Sequence, residues 1–190
     1  QNGFFIISVF ITMQTTAKEH SMNSHEIFAT ALQYEEKIRD FYYSAAEKVD
    51  DQRGKSIFLA LADDEQSHVD FLNYSLEQLQ TKGGIDITRL ISPIPTLKQL
   101  ESGVEQLKAE IPDQMLGDIK SVLDSALKLE KETSAFYRDA CSKTAGEIRT
   151  IFEKFLEIED RHVDVVQIEL DHAQKNGMWF NFMEVDLEAE

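Results

Sequence analysis

A chain of 190 residues, 42% hydrophobic and 28% charged, has enough material for one compact domain with a sizeable core. Its 19 basic and 35 acidic residues give a formal charge of −16, which repels phosphate backbones and anionic lipid and argues against nucleic acid or a membrane surface as partner. The single cysteine, Cys141, excludes an internal disulfide and any four-cysteine metal site built from this chain alone; it fits a reducing, cytoplasmic setting and reads as a small core residue. Eight glycines and three prolines favour helices over a loop-rich β architecture.

In chain order, residues 3–13 are nearly all apolar, yet no Lys or Arg precedes them and no clear cleavage site follows. About eleven residues also fall short of the roughly 20 that span a bilayer as a helix. Residues 1–22 are therefore expected to be an N-terminal extension before a natural start at Met13, with a remnant export signal as the alternative. Asn23 with Glu26 makes a helix cap, and Ile27, Ala31, Tyr34, Ile38, Phe41 and Ala45 put one apolar stripe on a first helix over residues 24 to about 50. A second helix carries Ile57, Phe58, Leu61, Val69, Leu72 and Leu76 and stops at Gly83-Gly84. Residues 85–112 hold all three prolines and a short amphipathic piece over about 96–110, which predicts a crossover with a small extra helix. A third helix is expected over about 113–143. A fourth, opened by a Thr144–Glu147 capping box, runs to Asn176-Gly177. The bundle domain is thus 23–177. A tail of 178–190, with Trp179, Phe180 and Phe182, either packs on these helices or docks a partner.

The pattern is an all-α four-helix bundle in which two hairpins are joined by a long crossover between the second and third helices. The hairpin is duplicated. Ala31-Leu32, Glu35 and Phe41-Tyr42 return as Ala126-Leu127, Glu130 and Phe136-Tyr137, an offset of 95 from Glu35 to Glu130. Ile57-Phe58, Glu65 and His68-Val69-Asp70 return as Ile151-Phe152, Glu159 and His162-Val163-Asp164, an offset of 94 from Glu65 to Glu159.

The duplicated residues carry metal chemistry. Glu65 with His68, and Glu159 with His162, are spaced i to i+3, so a carboxylate and an imidazole share one helix face. Glu35 and Glu130 lie on apolar stripes, where a lone carboxylate costs several kcal/mol unless it is paired or coordinated. Four carboxylates and two neutral imidazoles sum to four negative charges, which two divalent ions neutralise. Oxygen-rich ligands with two imidazoles suit iron first, manganese next, and zinc as an adventitious substitute. Tyr42 and Tyr137 each follow a Glu by seven residues and are placed either to hydrogen-bond a ligating carboxylate or to serve as plain core residues. Phe58, Leu61, Phe152 and Phe155 read as dry packing around the site. Glu36 and Glu132 are turned away from the ligand face, and His20, His25 and His172 read as surface residues.

These motifs resemble the ferritin-like superfamily, specifically its rubrerythrin-like di-iron branch, over roughly residues 24–175. The resemblance implies a ferritin-like bundle with two irons (Fe2+/Fe3+). Glu35 and Glu130 would be the carboxylates of the first helix in each hairpin, Glu65 and Glu159 would bridge the irons, and His68 and His162 would cap one iron each. Tyr42 and Tyr137 match tyrosines that support the ligands in the family. Two departures stand out: one cysteine cannot build the rubredoxin-like module usual in rubrerythrins, and Thr133 occupies the place of an extra Glu, so the six ligands match a bacterioferritin-type oxidase site equally well. The expected activity is reduction of hydrogen peroxide, or of O2, with electrons from an external donor such as a rubredoxin-like protein, in a homodimer. The alternatives are a ferroxidase that handles iron, and a non-catalytic metal-binding bundle.

Overall fold

The computed structural model describes residues 23–103 and 109–184. The expected extension over 1–22, including His20, lies outside the described residues, as do 104–108 of the expected amphipathic piece and 185–190 of the tail. Five helices carry the fold: α1 (Ser24–Lys48), α2 (Gln52–Thr81), α3 (Leu97–Gly103), α4 (Leu116–Lys143) and α5 (Gly146–Asn176). Helices α1 and α2 pack as one hairpin and α4 and α5 as the other, and the hairpins meet along α1 and α4. None of these helices is long and apolar enough to cross a membrane. This is the all-α ferritin-like bundle with its long crossover that the sequence implies.

The capping box at Asn23 forms: its Oδ1 accepts the Glu26 N–H at 3.0 Å while Glu26 accepts the Asn23 N–H at 3.0 Å. Asp51 caps α2 by accepting the Gly54 N–H at 2.8 Å. Gly177, at φ 65°, takes the left-handed position that ends α5. The expected Thr144–Glu147 box does not form. The Thr144 hydroxyl donates back to the Ala140 carbonyl at 2.8 Å, finishing α4, and α5 opens from Ala145 without a side-chain cap. Helix α4 also starts at Leu116 rather than near 113, because residues 112–115 form a turn with Met115 N–H on Pro112 O at 2.8 Å.

The crossover is shorter in helix than its amphipathic pattern predicts. Helix α3 spans Leu97–Gly103, whereas Ala109–Glu110 (β1) is extended and pairs antiparallel with Met178–Trp179 (β2). That two-residue pairing holds the crossover to the end of α5. The first-helix stripe is also rotated slightly: Tyr42 is fully buried, while Tyr34 and Phe41 are half-buried, Tyr34 stacking on Phe136 at 4.8 Å. The tail folds back on its own bundle, with Trp179, Phe180 and Phe182 at 0%, 0% and 3% exposure.

The apolar core is divided in two. One cluster contains Ile38, Leu61, Leu127 and Val165, and the other Ala31, Phe71, Tyr137 and Ile158. On each long helix the division falls at the predicted ligands: Glu35 on α1, Glu65 and His68 on α2, Glu130 on α4, and Glu159 and His162 on α5. A polar layer thus lies between two hydrocarbon layers.

Candidate metal centre

All six predicted ligands are fully buried at 0% exposure. They form two groups in which one ligand atom per residue lies within 4.8 Å of the others: Glu35, Glu65, His68 and Glu159, and Glu65, Glu130, Glu159 and His162. Glu65 and Glu159 belong to both groups, the arrangement expected of carboxylates that bridge two ions. Each group is completed by one Glu and one His of its own.

The imidazoles turn Nδ1 into the layer. His68 Nδ1 lies 3.3 Å from Glu35, 3.1 Å from Glu65 and 3.4 Å from Glu159. His162 Nδ1 lies 2.8 Å from Glu65 and 3.8 Å from Glu130. The two rings are parallel within 15° at 5.5 Å. Both tyrosines reach across the bundle to the opposite hairpin: Tyr42 donates its hydroxyl to Glu130, and Tyr137 donates to Glu35. Phe58, Leu61, Phe152 and Phe155 are all at 0% exposure. Phe155 stacks on Tyr137 at 4.7 Å and meets the His68 ring edge-on at 5.5 Å. The layer is dry.

Dryness strains the carboxylates. Burial, reinforced by the neighbouring Glu65 charge, raises Glu35 to about 7. Burial raises Glu130 to about 8, with His162 opposing the shift. Glu159 is pushed well above the carboxylate range by burial and by the charges of Glu35 and Glu65. Burial disfavours charge on the two histidines, but the adjacent carboxylates outweigh it and hold both well above their ordinary value. For Glu65, burial is outweighed by the two histidines, and its carboxyl is lowered. Protons thus hold together a cluster of carboxylates that repel one another.

Cations fit this cluster on the structure's own terms. Glu130 Oε2 and both Glu159 oxygens are buried without a hydrogen-bond partner among the described residues. Buried polar atoms are ordinarily paired, and here the orphans converge on shared points. An oxygen-rich donor set with two imidazoles and no thiolate suits iron or manganese.

The remaining predicted positions are readily placed. Glu132 is exposed and lies 3.5 Å from Lys37, and His25 is exposed. His172 is half-buried, with Nδ1 2.9 Å from the Ile168 carbonyl. Thr133 is buried, but its hydroxyl donates to the Leu129 carbonyl at 3.1 Å rather than facing the ligands. Two carboxylates escape sequence reasoning. Asp64, 2% exposed, lies 2.8 Å from His162 Nε2. Glu169, 0% exposed, accepts backbone N–H groups of Phe180, Asn181 and Phe182 at 2.9, 2.8 and 3.3 Å. Both had a signal: Asp64 aligns with the apolar Ile158 in the repeat, and Glu169 sits on the stripe of Val165, Val166 and Leu170.

Comparison with known families agrees with this geometry: the rubrerythrin family profile matches residues 26–170. The chain is a member of the rubrerythrin family. No curated protein and no solved structure gives a significant match. As a rubrerythrin-family chain it is a ferritin-like protein of the di-iron type, and its matched segment contains all six candidate ligands, Tyr42, Tyr137 and Asp64.

Proposed function

We propose that this rubrerythrin-family chain is a non-haem di-iron oxidoreductase that reduces hydrogen peroxide with electrons from an external donor. The observation that carries the reading is the pair of buried ligand groups sharing Glu65 and Glu159. Sharing two carboxylates brings two one-electron centres together, matching the two electrons needed to take H2O2 and two protons to two waters. Iron, when bound, supplies those electrons by passing from Fe(II) to Fe(III).

The chain's own residues supply the setting. Glu35, His68, Glu130 and His162 would each hold one ion, and Glu65 and Glu159 both. Tyr42 and Tyr137 orient Glu130 and Glu35 by donating to them. Phe58, Leu61, Phe152 and Phe155 exclude water, which limits side reactions. The single, buried Cys141 builds no four-cysteine site within these residues, and the reading draws its electrons from an external donor of rubredoxin-like chemistry. The same reading takes the working form as a cytoplasmic homodimer.

One observation favours a second reading. Thr133 stands where the archetype has an additional Glu, and its hydroxyl is spent on its own helix. A fixed six-ligand centre also suits a ferroxidase, in which Fe(II) is substrate and O2 the oxidant.

Anaerobic loading with Fe(II), followed by stopped-flow mixing with peroxide or O2 and iron counting, separates the readings. Two irons per chain oxidised faster by peroxide, and reducible for another cycle, support the peroxidase. Faster reaction with O2 and continued iron uptake support the ferroxidase, and absence of iron binding rejects both.

A further inference from the structure

The two hairpins repeat the ligands, but not the residues behind them. On the offset that carries His68 onto His162, Asp64 falls on Ile158, and both positions are buried, at 2% and 3% exposure. Asp64 Oδ2 accepts a hydrogen bond from His162 Nε2 at 2.8 Å. With Nε2 engaged by Asp64, Nδ1, which faces Glu65 and Glu130, is the ring nitrogen left to bind an ion. Ser92, in the crossover, donates its hydroxyl to the same Asp64 oxygen at 2.6 Å and accepts the Ile94 N–H at 3.1 Å. The crossover occurs once in the chain, so this support has no duplicate. His68 Nε2, by contrast, has no hydrogen-bond partner among the described residues; Asp64 Oδ2 is 3.8 Å away, and the equivalent position is the hydrocarbon of Ile158.

We propose that Asp64, held by Ser92, is a positioning residue that makes two chemically alike metal sites unequal. The ion at Glu130 and His162 is bound tightly and retained, and the ion at Glu35 and His68 is the exchangeable one. The proposal rests on the two-ion reading above. An imidazole already oriented, with its far nitrogen engaged by a carboxylate, is the stronger ligand, and losing such a partner typically weakens metal binding by about 10–100-fold. Both ions share Glu65 and Glu159, so the difference lies in the unshared histidines and what stands behind them.

The test is anaerobic titration of metal-free protein with Co(II), read by visible absorption, with circular dichroism confirming the fold of every variant. Wild type is expected to bind two ions in phases separated by about tenfold or more. Asp64→Ala lowers the tighter phase by about 10–100-fold. Asp64→Asn, whose amide oxygen still accepts from Nε2, recovers part of that loss, and Ser92→Ala gives a smaller shift in the same direction. In a His68→Ala background the Asp64→Ala effect persists, and in a His162→Ala background it vanishes. Two ions bound with one affinity, or equal Asp64→Ala effects in both backgrounds, overturn the proposal while leaving the two-ion reading intact. Failure of the wild type to bind any ion overturns both.

Discussion

Glu159 and Glu169 lie ten residues apart on α5, both at 0% exposure, and their burial is compensated in opposite ways. Glu169 accepts three backbone N–H groups from the returning tail. Neither Glu159 oxygen has a hydrogen-bond partner among the described residues. Burial raises both carboxyls, Glu169 to about 7 and Glu159 well above its ordinary range. Burial alone therefore does not mark a metal ligand. What separates a structural carboxylate from a candidate ligand is whether the protein itself completes its hydrogen bonds.

The largest expected break in that comparison comes from Glu159→Ala. Glu159 belongs to both ligand groups, so this variant should lose both ions, whereas Glu35→Ala should lose one; metal analysis after desalting checks the difference. Next is metal removal. Relative to about 4.5 in an unfolded chain, Glu35 near 7 and Glu130 near 8 are raised, and His68 and His162 are raised too. Groups raised on folding stabilise most below their unfolded values and lose that contribution as pH climbs through the folded ones. Metal-free protein should thus lose on the order of a few kcal/mol between pH 5.5 and 8. The loaded protein should show a flatter melting profile, with the Glu169 contribution remaining.

A comparable but metal-independent effect is expected at the tail. Glu169→Ala strands three buried N–H groups and should cost about 3 kcal/mol in urea unfolding without changing metal content. The glutamine variants sharpen the contrast: Glu169→Gln should destabilise, while Glu159→Gln, which replaces a carboxyl that burial and its neighbours already hold toward the neutral form, should leave the melting temperature of metal-free protein nearly unchanged. Smallest is Tyr137→Phe, which removes the donor to Glu35 and should weaken one ion by about tenfold with the fold retained. An unchanged binding isotherm would reduce Tyr137 to packing.

Much of this was legible because period and duplication reinforce each other. A single Glu-x-x-His says little, but two of them in register with Glu35 and Glu130 fix which faces meet, and the four-helix order follows. The failures are local or non-local in identifiable ways. Thr144 and Glu147 have capping-box spacing, yet the Thr144 hydroxyl had a competing acceptor one turn back at Ala140. Residues 109–110 fall in a stretch whose amphipathic pattern reads as helix but pair with 178–179, a contact no local pattern encodes. Asp64 precedes Glu65 and carries no ligand spacing of its own; its role depends on His162 of α5, a partner that no local pattern names.

The sole tryptophan gives the fold a built-in optical gauge. Trp179 is sealed at the end of the bundle, edge-on to Phe58 at 6.1 Å and close enough to Gly54 that a methyl group there would lie 2.5 Å from the indole. Its ring N–H has no acceptor among the described residues. An indole so dry and unbonded emits at short wavelength, and any opening of the tail admits water and shifts the emission to the red. Fluorescence from the unmodified chain therefore reports the state of this seal in the same cuvette in which the metals are titrated.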